Sequence, residues 1–205
     1  PRSTHCISSA ASDVYRDRPE GEIMKERLFI TPEYTTAKEI KKIRKELHLT
    51  QKEFAEFINC SKPTVERWER SEDVIRGPIV PFLKMLQKYP EYEQEVKVPE
   101  KVWPLRIWYM YDQDVCTLID VNERERKVKI KNYTDKIMFR AFGVMEEPDY
   151  NQYIEFLESR CFPESRDKMK LILKDLGLPF YDPIMIIEKT EGRMAEDDFW
   201  IRIER

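Results

Sequence analysis

No stretch of this 205-residue chain approaches the roughly 18–20 apolar residues that a membrane-crossing helix needs. The opening PRSTHCISSA has no apolar core of the signal-peptide kind. A cytoplasmic protein without a membrane partner is expected. Histidine is nearly absent, with only His5 in a tail and His48 at a helix end, which argues against a histidine-built catalytic or metal site. The four cysteines, Cys6, Cys60, Cys116 and Cys161, are far apart and form no CxxC pair. That spacing favours separate reduced thiols over a disulfide frame or a zinc knuckle. Five glycines stand against thirteen prolines, so the breaks in the chain are stiff. There is no glycine-rich phosphate loop, no kinase catalytic loop, and no serine or cysteine paired with a histidine. No cofactor, metal or catalytic residue is expected, and the chain reads as a binding protein rather than an enzyme.

The composition that is present is ordinary for a globular protein, 41% hydrophobic and 12% aromatic, at a length that holds one large domain or two small ones. The formal net charge is −3, but it is unevenly placed. Residues 36–88 carry twelve basic and eight acidic groups, net +4. Residues 89–100 carry one and four, and residues 101–205 carry eighteen and twenty-one, each net −3, while residues 1–35 are net −1. Where the positive charge lies matters more than the total for meeting a polyanion.

Periodicity divides the chain into four parts. Residues 1–35 read as a poorly ordered extension, since 1–23 show almost no apolar pattern and Met24 reads as the true start. Residues 36–90 are helical. Ala37, Ile40, Ile43 and Leu47 recur at helical spacing. Thr50 and Glu53 form a capping box ahead of a helix burying Phe54, Ala55 and Ile58. Asn59-Cys60 makes a tight turn, Ser61 caps a third helix that faces Val65 and Trp68 inward, and Pro63 is tolerated in its first turn. Pro78 opens a helix with a Val80, Leu83, Leu86 stripe. Residues 91–102 are acidic and proline-bounded, which marks a linker. Residues 103–205 begin with alternation: 105–111, 115–121 and 127–133 read as strands of a hairpin meander, with a short fourth strand at Ile137-Met138-Phe139. Three helical patterns follow, and FWIRIER closes the chain as either a strand or a last helix turn. The expected fold is α+β in two domains, an all-α five-helix module followed by a small antiparallel sheet packed with helices.

The stretch LTQKEFAEFINCSKPTVERWERS carries the functional signal: Gln51 opening a helix, small Ala55 at a helix crossing, the tight turn, capping Ser61, and Val65 with Trp68-Glu69. Together these resemble the Cro/repressor (Xre-type) helix-turn-helix family, over about a quarter of the chain. The resemblance implies sequence-specific binding of double-stranded DNA by a transcriptional regulator, acting as a homodimer on a palindromic operator with half-sites about one helical turn apart. The helix starting after Ser61 would then enter a major groove roughly 12 Å wide. Lys62, Pro63, Thr64, Glu66 and Arg67 would face base edges, with Arg67 suited to guanine and Pro63 to a thymine methyl. Gln51 would meet a phosphate at a helix N-terminus, Lys52, Arg70 and Arg76 would be phosphate contacts rather than base readers, and Ser61 belongs to the same DNA-binding set. Ser71 stands where glycine would end the recognition helix, so a strained left-handed residue is expected there. For the dimer surface, the Val80, Leu83, Leu86 stripe and an edge strand of the sheet are candidates.

In the second half, Arg160, Pro163, Ser165, Arg166, Leu176-Gly177, Pro183, Lys189, Gly192, Asp197 and Trp200 form a pattern similar to a segment associated with HipA-like kinase toxins. The likeness implies an antitoxin-like repressor working with a HipA-type protein partner, not a kinase. The acids Glu196, Asp197 and Asp198 read as a cap or solvated edge, and Cys116 as core. Trp103, Trp108, Tyr109 and Tyr111 lie on or beside strands, where core packing is the commoner role. The alternative they leave open is a C-terminal domain that senses a small molecule or acts as an enzyme, with DNA binding as its regulation.

Overall fold

The computed structural model describes residues 29–205, so the expectations for residues 1–28, including Cys6, His5 and the Met24 start, lie outside the described residues. The chain divides into two compact units between Pro90 and Glu91.

The first unit contains α1 (Ala37–Glu46), α2 (Gln51–Phe57), α3 (Lys62–Arg70) and α4 (Ile79–Lys88). Among the described residues of 36–90 there are thus four helices, not the expected five. Three of them start on a hydroxyl cap. Thr36 Oγ1 accepts from Glu39 N at 3.3 Å, and Ser61 Oγ accepts from Thr64 N at 3.4 Å. Thr50 and Glu53 form the full reciprocal box, at 3.2 and 2.7 Å. Each cap satisfies amide donors that the first turn cannot, stabilising its helix by about 1 kcal/mol. The apolar stripes converge on Ile40, Ile43, Phe54, Val65, Val80, Leu83 and Leu86. That burial corrects one expectation: Val80, Leu83 and Leu86 are core of their own unit and offer no dimer surface. Ahead of α1, Thr35 exchanges backbone bonds with Ile75 at 2.8 and 2.9 Å, closing the unit around its core.

The helix ends α1 and α2 share one device. Leu49 N bonds Arg44 O at 3.1 Å and His48 N bonds Lys45 O at 3.1 Å; Cys60 N bonds Ala55 O at 2.8 Å and Asn59 N bonds Glu56 O at 3.1 Å. This is the Schellman arrangement, which needs a left-handed residue at its apex. His48 (φ 56°) and Asn59 (φ 52°) occupy it.

The second unit opens with α5 (Tyr92–Val96), inside the segment read as a linker. The Lys131 ammonium donates to Gln94 O at 2.7 Å and Lys97 O at 2.6 Å, and Tyr133 OH donates to Lys97 O at 3.1 Å. A cation thus fills the C-terminal carbonyls of α5, which ties the segment to the sheet. The strands are β1 (Leu105–Tyr111), β2 (Asp114–Asn122), β3 (Lys127–Asn132) and β4 (Phe199–Glu204), all antiparallel in the order β3-β2-β1-β4. FWIRIER is therefore a strand, paired along β1 from Arg106↔Glu204 to Tyr111↔Phe199. Ile137–Phe139 is a single 3-10 turn rather than the expected fourth strand. Its neighbours explain this: Arg140 Nε bonds Thr134 O at 2.8 Å and Ala141 N bonds the Thr117 hydroxyl at 3.1 Å, so the backbone is tied to a turn and a side chain rather than a ladder.

Alternation gives the sheet two faces. Leu105, Ile107, Tyr109, Ile119, Val121 and Ile201 pack against α6 (Tyr150–Ser159) and α8 (Pro183–Thr190), meeting Tyr153, Phe156, Leu157, Ile186 and Ile187. Trp108, Met110 and Leu118 form a smaller cluster on the other face. Trp108 and Tyr109 therefore point to opposite faces, and Tyr109 and Tyr111 each pack against Phe199, with ring centroids 4.9 Å apart. These aromatics pack on the sheet, Tyr109 and Tyr111 on one face and Trp108 on the other. The helix α7 (Met169–Asp175) ends at Gly177 (φ 70°) with the same Schellman bonds as α1 and α2. No described helix is long and apolar enough to cross a membrane.

The residues that drew attention at the end of the sequence form an anchor. Arg160, at the end of α6, donates to both Asp197 oxygens at 2.7 and 3.0 Å, to Gly192 O at 2.8 Å and to Phe199 O at 3.0 Å. Gly192 has φ 57°, and a Cβ there would lie 3.2 Å from Ile201 Cδ1 and 3.5 Å from Arg160 Cβ. The glycine lets the loop pass over the arginine and β4. The Arg160 hydrogen bond holds the Asp197 carboxyl below its ordinary range despite partial burial. Asp197 is thus a structural partner, not a solvated edge.

Candidate nucleic-acid interface

Helix α3 is short, about 13 Å at 1.5 Å per residue, and its two faces differ in charge use. Its inward stripe is Val65, Trp68 and Glu69, spaced three and four apart. Val65 and Trp68 join the core. Glu69 is a carboxylate at a buried position, its side chain 3% exposed, and it is fully answered. Arg44 Nε and Nη2 donate to its two oxygens at 2.6 and 3.1 Å, and Gln51 Nε2 donates to Oε2 at 2.8 Å. Arg44 also donates to Leu49 O at 2.8 Å. Burial pushes the Glu69 carboxyl up, but the bonds from Arg44 and Gln51 and the charges of Arg44 and Lys41 together hold it below its ordinary value. One carboxylate thereby locks α1, the start of α2 and the end of α3, fixing the angle at which α3 is presented.

The outward face carries Lys62, Pro63, Glu66, Arg67 and Arg70, and a shallow open depression runs along Pro63, Glu66, Arg67, Arg70 and Ser71. Lys62 and Glu66 pair at 3.1 Å across one turn, a contact worth a few tenths of a kcal/mol at an exposed site. Arg67, Arg70 and Lys52 are exposed and have no ion-pair partner among the described residues. They are the cations left free to meet an anion.

The remaining sequence-derived positions have other duties in this structure. The Ser61 hydroxyl is engaged with Thr64 Oγ1 at 2.8 Å and with the cap, so it holds the helix start. Thr64 is half buried beside it. The Gln51 side chain, at the start of α2, is committed to Glu69. Arg76 lies 3.9 Å from Glu33 and over the Tyr34 ring. Ser71 is extended (φ −66°, ψ 135°), not left-handed. Its hydroxyl accepts from Asp73 N at 3.1 Å and donates to Asp73 O at 3.2 Å, so a side-chain turn ends α3 where a glycine was expected and no steric cost arises. Sequence reading assigned no role to Arg44 and missed the Glu69 lock. The signal was present: a charged residue on an inward helical stripe requires a buried partner.

Residues 40–80 match the family described as Helix-turn-helix, and this part of the chain is a helix-turn-helix domain of the Cro/repressor type. The chain is also similar to Antitoxin HigA-2 of Vibrio cholerae serotype O1, at 36% identity over 53 residues. The match covers 26% of this chain and 51% of that protein, so the chain spans about half the length of this curated relative. No solved structure matches the chain.

Proposed function

We propose that the chain is a sequence-specific DNA-binding transcriptional regulator of the antitoxin kind. The observation that carries this reading is the outward face of α3, where Arg67 and Arg70 stand free on a helix whose angle the Arg44–Glu69–Gln51 network fixes. A rigid helix bearing unpaired guanidinium groups can read guanine bidentately and meet phosphates without first breaking internal ion pairs. In this reading Arg67 reads a base, Lys62, Pro63, Thr64 and Glu66 shape the contact, and Lys52, Arg70 and the amide end of α2 hold phosphates.

The similarity to an antitoxin supports a protein partner of toxin type for the chain, and the sheet unit is the part we assign to it. The likeness to HipA-associated segments makes a HipA-like toxin the partner to try first. The protein acts as a homodimer on a palindromic site. With the α4 stripe buried, an edge strand of the sheet, β3 or β4, is the remaining dimer candidate. The reading assigns no catalytic step. Burial pushes the Cys161 thiol up to about 12 and the Cys116 thiol up as well, which suits neither to nucleophilic work at neutral pH.

The test is titration of the full chain with a duplex from its own promoter and with a scrambled duplex, at two salt concentrations. Tighter binding to the promoter duplex, weakened by salt, is expected. Equal binding to both would remove the sequence-specific reading.

A further inference from the structure

The sheet unit is acidic overall, yet its cations are not spread evenly. The segment Glu123–Lys131, ERERKVKIK, holds five of them against two carboxylates. It forms the β2–β3 turn and the edge strand β3, whose only sheet neighbour among the described residues is β2. Lys127, Lys129 and Lys131 alternate onto one face, about 6.6–6.8 Å apart along the strand.

The five cations divide by duty. Lys131 is spent on the α5 carbonyls. Arg126, left-handed at φ 53°, lies 4.8 Å over the Tyr150 ring and donates to Asn151 Oδ1 at 2.9 Å. Asn122 Oδ1 accepts from Glu125 N at 3.2 Å, which closes the turn. These bonds hold the hairpin in one shape. The other three face water: Arg124 and Lys129 have no partner among the described residues, and Lys127 has only an exposed contact with Glu125.

We propose that Arg124, Lys127 and Lys129 form a second contact for the phosphate backbone of the DNA that α3 reads. The inference rests on the regulator reading. An acidic polypeptide would meet the same charge, but the chemistry of the face favours a duplex. Protein interfaces are built on apolar and aromatic anchors with charge depleted at their centre, whereas phosphates are met by cationic and polar groups without apolar anchors. The apolar side chains of β3, Val128 and Ile130, face the core, and Leu118 on the lysine side is already buried. The preformed hairpin would lose little conformational freedom on binding.

The experiment compares the full chain with the triple variant Arg124→Ser, Lys127→Thr, Lys129→Thr, using a promoter duplex and a random duplex of equal length over a range of salt. The expected result is a salt dependence shallower by about two to three units of slope on both duplexes, since each phosphate contact contributes about 0.9. The charge-keeping variant Lys127→Arg, Lys129→Arg retains the parental slope, which separates lost charge from lost fold. An unchanged slope and affinity in the triple variant overturns the proposal and leaves the face to an acidic polypeptide. A wild-type chain that prefers neither duplex refutes the regulator reading, while its slope still judges the hairpin; binding to neither duplex refutes both.

Discussion

In the helical unit one arginine, Arg44, is turned inward onto Glu69, while Arg67 and Arg70 face water with no carboxylate. In the sheet unit Arg106 is buried on Asp120, Arg160 is anchored on Asp197, and Arg140 is bonded to a backbone carbonyl. The same side chain stands free in one place and serves as a tie in another, and the count of arginines does not distinguish the two. Partner geometry does. An arginine satisfied by a buried carboxylate cannot meet a ligand without leaving that carboxylate uncompensated, at a cost of about 3–5 kcal/mol. An unpaired one loses only hydration.

The sharpest way to break this contrast is Asp120→Ala. It leaves the Arg106 guanidinium, 5% exposed, without its two bonds of 2.6 and 2.7 Å. A loss of about 3–5 kcal/mol is expected in urea unfolding followed by a sheet-unit signal such as Trp108 fluorescence. A loss under 1 kcal/mol would mean the pair is not the tie described. Glu69→Ala is expected to cost the helical unit slightly less, about 2–4 kcal/mol, because Arg44 keeps its bond to Leu49 O.

Acid sharpens the same point. The folded Glu69 carboxyl lies below its ordinary 4.5, so its contribution is complete above that value and is lost as pH falls through the folded value. Asp197 behaves likewise below its ordinary 3.8. Thermal melts of the full chain should therefore decline below about pH 4.5, and Glu69→Gln should flatten that decline for the helical unit. A wild-type curve with no acid limb would contradict the assignment of both carboxylates.

The smallest expected effect is His48→Gly. Histidine at φ 56° carries the left-handed penalty that glycine does not. A gain of about 0.5–1 kcal/mol in the unfolding free energy is expected, partly offset by the glycine's greater unfolded-chain entropy. Destabilisation would show that the His48 side chain has a contact of its own.

Local rules made much of the fold legible. The caps at Thr50 and Ser61, the buried faces of α1 to α3 and the β1–β2–β3 meander follow from periods and turn chemistry that act over a few residues. What was not legible depends on distant partners. Ile137–Phe139 reads as strand until Thr117 and Thr134 take its neighbours' hydrogen bonds. The 91–102 segment reads as linker because its hold, Lys131, is over thirty residues away. Ser71 was misread by analogy with glycine, although a serine two residues before Asp73 can close a turn itself. At the interface, sequence supplied the residue types facing outward, but only the structure separates the free Arg67 and Arg70 from the committed Gln51 and Ser61.

The central claim is that free cations on α3 bind while buried ones hold the fold. Arg67→Ala tests it most directly when promoter affinity and melting temperature are measured on the same sample. The account predicts a loss of about 1–3 kcal/mol in binding, roughly 5-fold to 150-fold, with the melting temperature unchanged. A fall in melting temperature that accounts for the lost affinity, or an affinity that does not change, would contradict it.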